Sequence, residues 1–149
     1  MSQLKRILLV EDCLKDVELT LEALDAHKLA NEVVVARDGT EAIDYLTSVG
    51  KLAGREPGLP VVMLLDIKMP KMNGLDVLRR LKSDGLLKSI PVVVVTSSRE
   101  EPDLAAAYEL GANAYVVKPV DFQQFADAVR QIGAFWAVLN EPPPNKLPV

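Results

Sequence analysis

The run Pro60-Val61-Val62-Met63-Leu64-Leu65-Asp66 constrains this chain more than any other stretch. From Val61 to Leu65 there is no polar break. That suits a strand covered by helices on both faces of a parallel sheet, because a strand with one wet face would alternate apolar and polar residues. The run stops on a carboxylate, and Pro70 with the Asn73-Gly74 pair then marks a loop before a new helix. Open α/β sheets place their ligand crevice beyond the C-terminal ends of the strands. Asp66 is therefore the candidate reactive residue, although a strand-end aspartate considered alone reads more readily as a helix cap.

The remaining chain repeats the pattern. Ile7 to Val10 reads as a first buried strand ending on Glu11-Asp12, and a helix follows with Leu14, Val17, Leu21 and Leu24 at spacings of three and four. Glu32 to Ala36 is a second strand, and Asp38-Gly39 starts a helix that turns Ala42, Ile43, Leu46 and Val49 inward. Gly50 to Pro60 is a Gly- and Pro-rich loop, longer than most such connections. Asn73 suits the cap of a third helix, with Leu75, Leu78 and Leu81 on one face. Pro91 to Ser97 is a fourth strand, Pro102 and Gly111 bracket a helix, and Ala114 to Val117 is a fifth strand ending on Lys118-Pro119. Asp121 caps a long last helix that Pro142-Pro143-Pro144 terminates. Alternating strands and amphipathic helices specify an α/β fold, a doubly wound parallel sheet of five strands, because right-handed crossovers place helices on both faces.

A chain of 149 residues has room for one domain with a proper core, so 1–149 is expected to be a single domain. Its net charge of −4 provides no broad basic surface and argues against a nucleic-acid partner. Cys13 is a lone cysteine, which suits a reducing compartment, and no apolar run approaches the length of a membrane span. A cytoplasmic protein without a membrane partner is the expectation.

In a parallel sheet the strand ends share one edge, and here those ends carry Glu11-Asp12, Asp66, Thr96-Ser97 and Lys118. Three converging carboxylates raise one another's pKa unless a cation joins them. A site of few carboxylate oxygens completed by water is what Mg²⁺ prefers. Lys118 adds a point charge for an anion, and Thr96 a hydroxyl. A carboxylate nucleophile, a metal, an ammonium and a hydroxyl are the parts needed to accept a phosphoryl group. Each has a plain alternative: Asp12 could cap a helix, Thr96 could decorate a strand end, and Lys118 could be a solvated surface residue. Their joint occurrence on successive strand ends favours the site.

These residues carry a family resemblance. Val10-Glu11-Asp12, Leu65-Asp66-Ile67-Lys68-Met69-Pro70 with Asn73-Gly74, Val95-Thr96-Ser97 and Tyr115-Val116-Val117-Lys118-Pro119 resemble the receiver domain of bacterial two-component response regulators, with its flavodoxin-like fold, over roughly residues 4–138. The resemblance implies strand order 2-1-3-4-5 and phosphorylation of Asp66 by a sensor histidine kinase. It also implies Mg²⁺ held by Glu11, Asp12, Asp66 and the backbone carbonyl of Lys68, with Thr96 and Lys118 on the phosphoryl group. Tyr115 would be the switch aromatic that follows Thr96 inward. The long Gly50–Pro60 loop and the tail beyond Gly133 resemble the stand-alone regulators that serve phytochrome-type photoreceptor kinases. No DNA-binding or catalytic output domain follows in the sequence, so the expected output is a protein contact or a further phosphotransfer.

Three rival functions share parts of this pattern. Aspartyl-phosphate phosphohydrolases share the strand-end nucleophile but resemble one another in a second Asp two residues later, where this chain has Lys68. A flavodoxin-like electron carrier needs a phosphate loop after the first strand, where Glu11-Asp12-Cys13 would repel one. A module that binds partners without phosphorylation would not need the full polar set. Finally, Phe122, Phe125, Val129, Ile132, Trp136 and Leu139 form a seam on the last helix. A continuous helix over 121–140 would be about 30 Å long, against strands of about 17 Å. Phe135, Trp136, Val138 and Leu139 would then project past the sheet as a dimer interface, making a homodimer, unless the Pro-rich tail folds back over them.

Overall fold

The computed structural model describes residues 6–26, 32–50 and 59–139. Strands β1 (Arg6–Val10), β2 (Glu32–Ala36), β3 (Val62–Leu65), β4 (Val92–Thr96) and β5 (Ala114–Val117) alternate with helices α1 (Leu14–Ala26), α2 (Gly39–Gly50), α3 (Gly74–Lys82), α4 (Glu101–Glu109) and α5 (Phe122–Gly133). The sheet is parallel throughout in the order β2-β1-β3-β4-β5, as the resemblance implied. Its register aligns Val10 with both Ala36 and Leu65, Leu65 with Val94, and Thr96 with Val117. The residues that follow these strands therefore emerge along one edge.

Alternate side chains of each central strand serve opposite faces. Leu8, Val10, Met63, Leu65, Val92 and Val94 join Ala42 and Leu46 of α2, Val77, Leu78 and Leu81 of α3 and Ala107 of α4. Ile7, Leu9, Val62, Leu64, Val93 and Val95 join Val17 and Leu24 of α1 and Phe125 and Val129 of α5. The unbroken apolar runs of the sequence thus feed two separate half-cores.

Local signals place the helix starts. Asn73 and Asp76 form a reciprocal capping box on α3, with 3.0 and 3.3 Å bonds to each other's amides. Asp121 accepts from the Gln124 amide at 3.0 Å at the head of α5, and Asp38 does the same for Glu41 at 2.9 Å in α2. Gly111 ends α4 with φ of 102°, a left-handed conformation that suits glycine.

Several expected inward positions do not hold. Leu14 and Phe122 are each 56% exposed, because α1 and α5 first meet the core further along, at Val17 and Phe125. The last helix is not a continuous α-helix: from Ala134 to Leu139 it is a π-helix. The wider turn shifts the 3-4 spacing on which the seam depended, and Trp136 packs partly against its own chain's second half-core instead of projecting free. Phe135 remains 49% exposed and meets the Trp136 ring edge-on, with 5.1 Å between centroids. The side chains of Val49, Val138 and Leu139, the loop over 51–58 and the Pro142–Pro144 run lie outside the described residues.

Candidate functional site

Glu11 follows β1 and Asp66 follows β3, and both carboxylates are buried at the sheet edge. The backbone that carries them is pinned: the Glu11 amide donates to the Ala36 carbonyl at 3.0 Å and the Asp66 amide to the Val10 carbonyl at 3.1 Å. Asp12 is half-buried beside them, and Arg37 donates to its carbonyl at 2.9 Å. Glu11, Asp12 and Asp66 each offer a carboxylate oxygen, and these oxygens lie within 4.8 Å of one another. Hard oxygen donors gathered this closely fit a divalent cation. The three carboxylates that the resemblance assigns to a metal site therefore lie together.

Lys118 follows β5 and crosses to this cluster. Its ammonium donates to Glu11 Oε1 at 2.7 Å, to Asp16 Oδ2 at 2.7 Å and to Asp66 Oδ2 at 3.2 Å. Burial pulls its pKa down, but the bonds to Asp16 and Glu11 and the charge of Asp66 outweigh burial and hold it above its ordinary value. Burial pushes the Glu11 carboxyl up to about 7 from 4.5, against the opposing pull of Lys118. Asp16, in the first turn of α1, was not singled out in the sequence. Its helical position hides a charge that the fold turns toward Lys118, and only an i+4 spacing from Asp12 hints at it. Arg37, just past β2, was missed likewise.

Thr96 is fully buried at the end of β4. Its Oγ1 accepts from the Ser98 amide at 3.4 Å, so the structure places it in the edge without directing its hydroxyl bond at Asp66. The Lys68 amide lies 3.4 Å from Asp66 Oδ1, while its exposed ammonium pairs with Asp103 at 3.4 Å. Ser98 Oγ donates to the same Asp103 at 2.6 Å, and the half-buried Tyr115 donates to the Ser98 carbonyl at 3.0 Å. Ser98 and Asp103 thus link the loop after Asp66, the loop after Thr96, the head of α4 and Tyr115. The bond from Ser98, joined by Lys68, holds the Asp103 carboxyl below its usual range. An open depression of about 410 Å³ lined by Asp12, Lys68, Met69 and Asp103 gives access from solvent.

The raised Glu11 pKa carries a pH dependence. The folded protein retains a proton on Glu11 up to about 7 that an unfolded chain releases near 4.5. This contribution to stability is full below the lower value and lost as pH rises through the upper one. A cation must displace the same proton, so its affinity should rise by up to about tenfold per pH unit below that upper value and then level off. Calorimetric Mg²⁺ titrations across the window test this. Glu11→Gln should bind weakly at every pH, and a wild-type affinity flat with pH would remove Glu11 from the ligand set.

Residues 7–130 match the model of the response regulator receiver domain. The chain is 38% identical over 132 residues to the response regulator Rcp1 of Synechocystis sp., covering 89% of this chain and 88% of Rcp1. A Mn(2+)-bound form of Rcp1 has been solved and superposes with a TM-score of 0.83 at 37% identity, covering 93% of this chain and 99% of that one. The phosphorylated cyanobacterial phytochrome response regulator RcpA is 39% identical with a TM-score of 0.85, covering 95% and 99% of the two chains. The bacteriophytochrome response regulator AtBRR is 58% identical with a TM-score of 0.70, covering 94% and 100%. Among the described residues, no helix is long and apolar enough to cross a membrane. The parallel 2-1-3-4-5 sheet, the acidic cluster tied to Lys118 and the match over 7–130 agree: the chain belongs to the response regulator receiver family, phosphoacceptor signalling domains, and within it is similar to phytochrome response regulators.

Proposed function

We propose that Asp66 accepts a phosphoryl group from a phytochrome-type sensor histidine kinase and that the protein signals through the resulting change of its protein-binding face. The observation that carries this reading is the Lys118 ammonium, which ties the buried Asp66 to Glu11 across the sheet edge. In the transfer an Asp66 oxygen forms a P–O bond as the donor's P–N bond breaks, and the imidazole leaves with the electron pair. Lys118 neutralises charge on the phosphoryl oxygens as they arrive. Glu11, Asp12, Asp66 and the Lys68 carbonyl would hold Mg²⁺, which supplies further charge neutralisation when bound. The phytochrome link rests on the likeness to RcpA and AtBRR, and a histidine-kinase partner in the cytoplasm suits a chain with one cysteine. Mass spectrometry after incubation with acetyl phosphate and Mg²⁺ tests the reading, since one added phosphoryl group per chain is expected. A protein that stays unmodified under those conditions sinks it.

The proposed activity is limited to the domain's own phosphorylation and dephosphorylation. A turnover phosphohydrolase needs an acid/base beside the nucleophile, and the ammonium of Lys68 is instead engaged with Asp103. Residues 1–149 are proposed to form one receiver domain in which 121–149 comprise an extended last helix and a Pro-rich tail.

Switching would run through Thr96 and Tyr115. A phosphoryl group on Asp66 would draw the Thr96 hydroxyl from the Ser98 amide, and Ser98 also holds Tyr115 and Asp103. Helix α4 buries only Ala107, so it is the most weakly anchored cover of the sheet. Coupling of about 1–3 kcal/mol is typical of such devices. Thr96→Ala should still take the phosphoryl group but lose the change in partner affinity; unaltered coupling removes Thr96 from the switch.

Self-association through Phe135, Trp136, Val138 and Leu139 at the end of the last helix is also proposed, with the exposed Phe135 as its accessible anchor. Phe135→Ala should weaken it by about tenfold in sedimentation, the scale of a modest interface anchor. A wild type that is monomeric with and without the phosphoryl group rules it out.

A further inference from the structure

We infer that Asp16 is a positioning residue for phosphoryl transfer, acting through Lys118; this rests on the reading of Asp66 as phosphoacceptor. An ammonium has three N–H donors, and three carboxylates take them: Glu11 and Asp16 at 2.7 Å and Asp66 at 3.2 Å. The two short bonds orient the group, and the longest is the one to Asp66 Oδ2. That third N–H is the donor free to pass to an arriving phosphoryl oxygen, provided the other two stay in place.

Glu11 and Asp16 differ as anchors. Glu11 is shared: its second oxygen accepts from the Cys13 amide at 3.1 Å, and it belongs to the carboxylate triad that fits a cation. Asp16 is outside that triad. It comes from the first turn of α1, and its side chain is 25% exposed. Among the described residues it is the only carboxylate on Lys118 that does not also face the cation site. When Glu11 and Asp66 are engaged there, Asp16 is the anchor left to aim the ammonium. A lysine on a four-carbon stem held at one point sweeps a wide arc, so a second anchor sets how often it faces the phosphoryl oxygen.

The test compares Asp16→Asn and Asp16→Glu with wild type in two measurements. With acetyl phosphate and Mg²⁺, Asp16→Asn should be phosphorylated about tenfold more slowly, the factor expected for one charge-assisted bond, and Asp16→Glu should recover most of the rate. In a Lys118→Met background, Asp16→Asn should add nothing further, because its effect runs through the missing amine. Without metal or phosphodonor, acetylation of Lys118 by acetic anhydride should accelerate severalfold in Asp16→Asn, while Lys15 and Lys68 react as in wild type. A loss that persists undiminished in the Lys118→Met background overturns the inference, as does a Lys118 reactivity that Asp16→Asn leaves unchanged. A wild type that takes no phosphoryl group overturns the parent reading instead, and the metal-free reactivity of Lys118 still decides the role of Asp16.

Discussion

Asp66→Asn is expected to abolish phosphoryl labelling while leaving the fold intact. The change swaps one carboxylate oxygen for an amide nitrogen of nearly equal size, so the buried space at the end of β3 stays filled. What disappears is the anionic oxygen that attacks phosphorus. The Lys118 amine retains Glu11 and Asp16 as short partners, so losing its 3.2 Å bond to Asp66 should cost little stability. Removing one charge from the acidic cluster should weaken the cation site without erasing it, since Glu11 and Asp12 remain. Labelling from a phosphohistidine donor should therefore fall to background, with a melting temperature close to that of wild type. Label persisting at equal stoichiometry would place the acceptor elsewhere. Glu11 and Asp12 are the first alternatives to examine, because both are carboxylates of the same cluster.

The two kinds of information in this sequence were unequally legible. Asp66, Thr96 and Lys118 each close an apolar run, and the period of a parallel sheet brings run ends to one edge before any contact is known. Asp16 closes no run; it sits inside a helix whose polar residues look alike until α1 is docked against the sheet beside Lys118. The half-cores were legible as buried runs, but their division between faces required the order of the strands. The end of the last helix misled for a different reason. A seam read at α-helical spacing presumes that the backbone stays α-helical, and the π-helix from Ala134 breaks that presumption where Phe135 and Trp136 stand side by side. Phe122 misled through position alone, since the 3-4 pattern says which side of a helix faces inward but not where along the helix it first meets the core.

Gly74→Ala is expected to lower both stability and the rate of phosphoryl transfer. Gly74 is the first residue of α3, as a cap at Asn73 predicts, and it makes no positive-φ turn. Its amide donates to the Ile67 carbonyl at 2.9 Å, which draws the head of α3 against the backbone of the reactive loop. A Cβ built there meets the carbonyl oxygen of Asp66 and lies 2.8 Å from Ile67 Cα. Both obstacles are backbone, so no flexible side chain can move aside. Alanine would favour the helix by about 1 kcal/mol and also restrict the unfolded chain. Overpacking costs about 1–3 kcal/mol when the neighbours can relax, and the upper end applies against backbone atoms. Destabilisation therefore wins, by about 1–2 kcal/mol, equivalent to a few degrees in Tm. The larger effect is on transfer: relief of the clash must displace the Asp66 backbone, and misplacing a reacting atom by about 1 Å costs about a hundredfold in rate. Gly85 supplies the control, since a Cβ there meets nothing within 4 Å. Gly85→Ala should melt and label like wild type, whereas Gly74→Ala should melt lower and label at least about tenfold more slowly. If Gly74→Ala behaves like Gly85→Ala in both measurements, then close approach of α3 does not set the position of the acceptor.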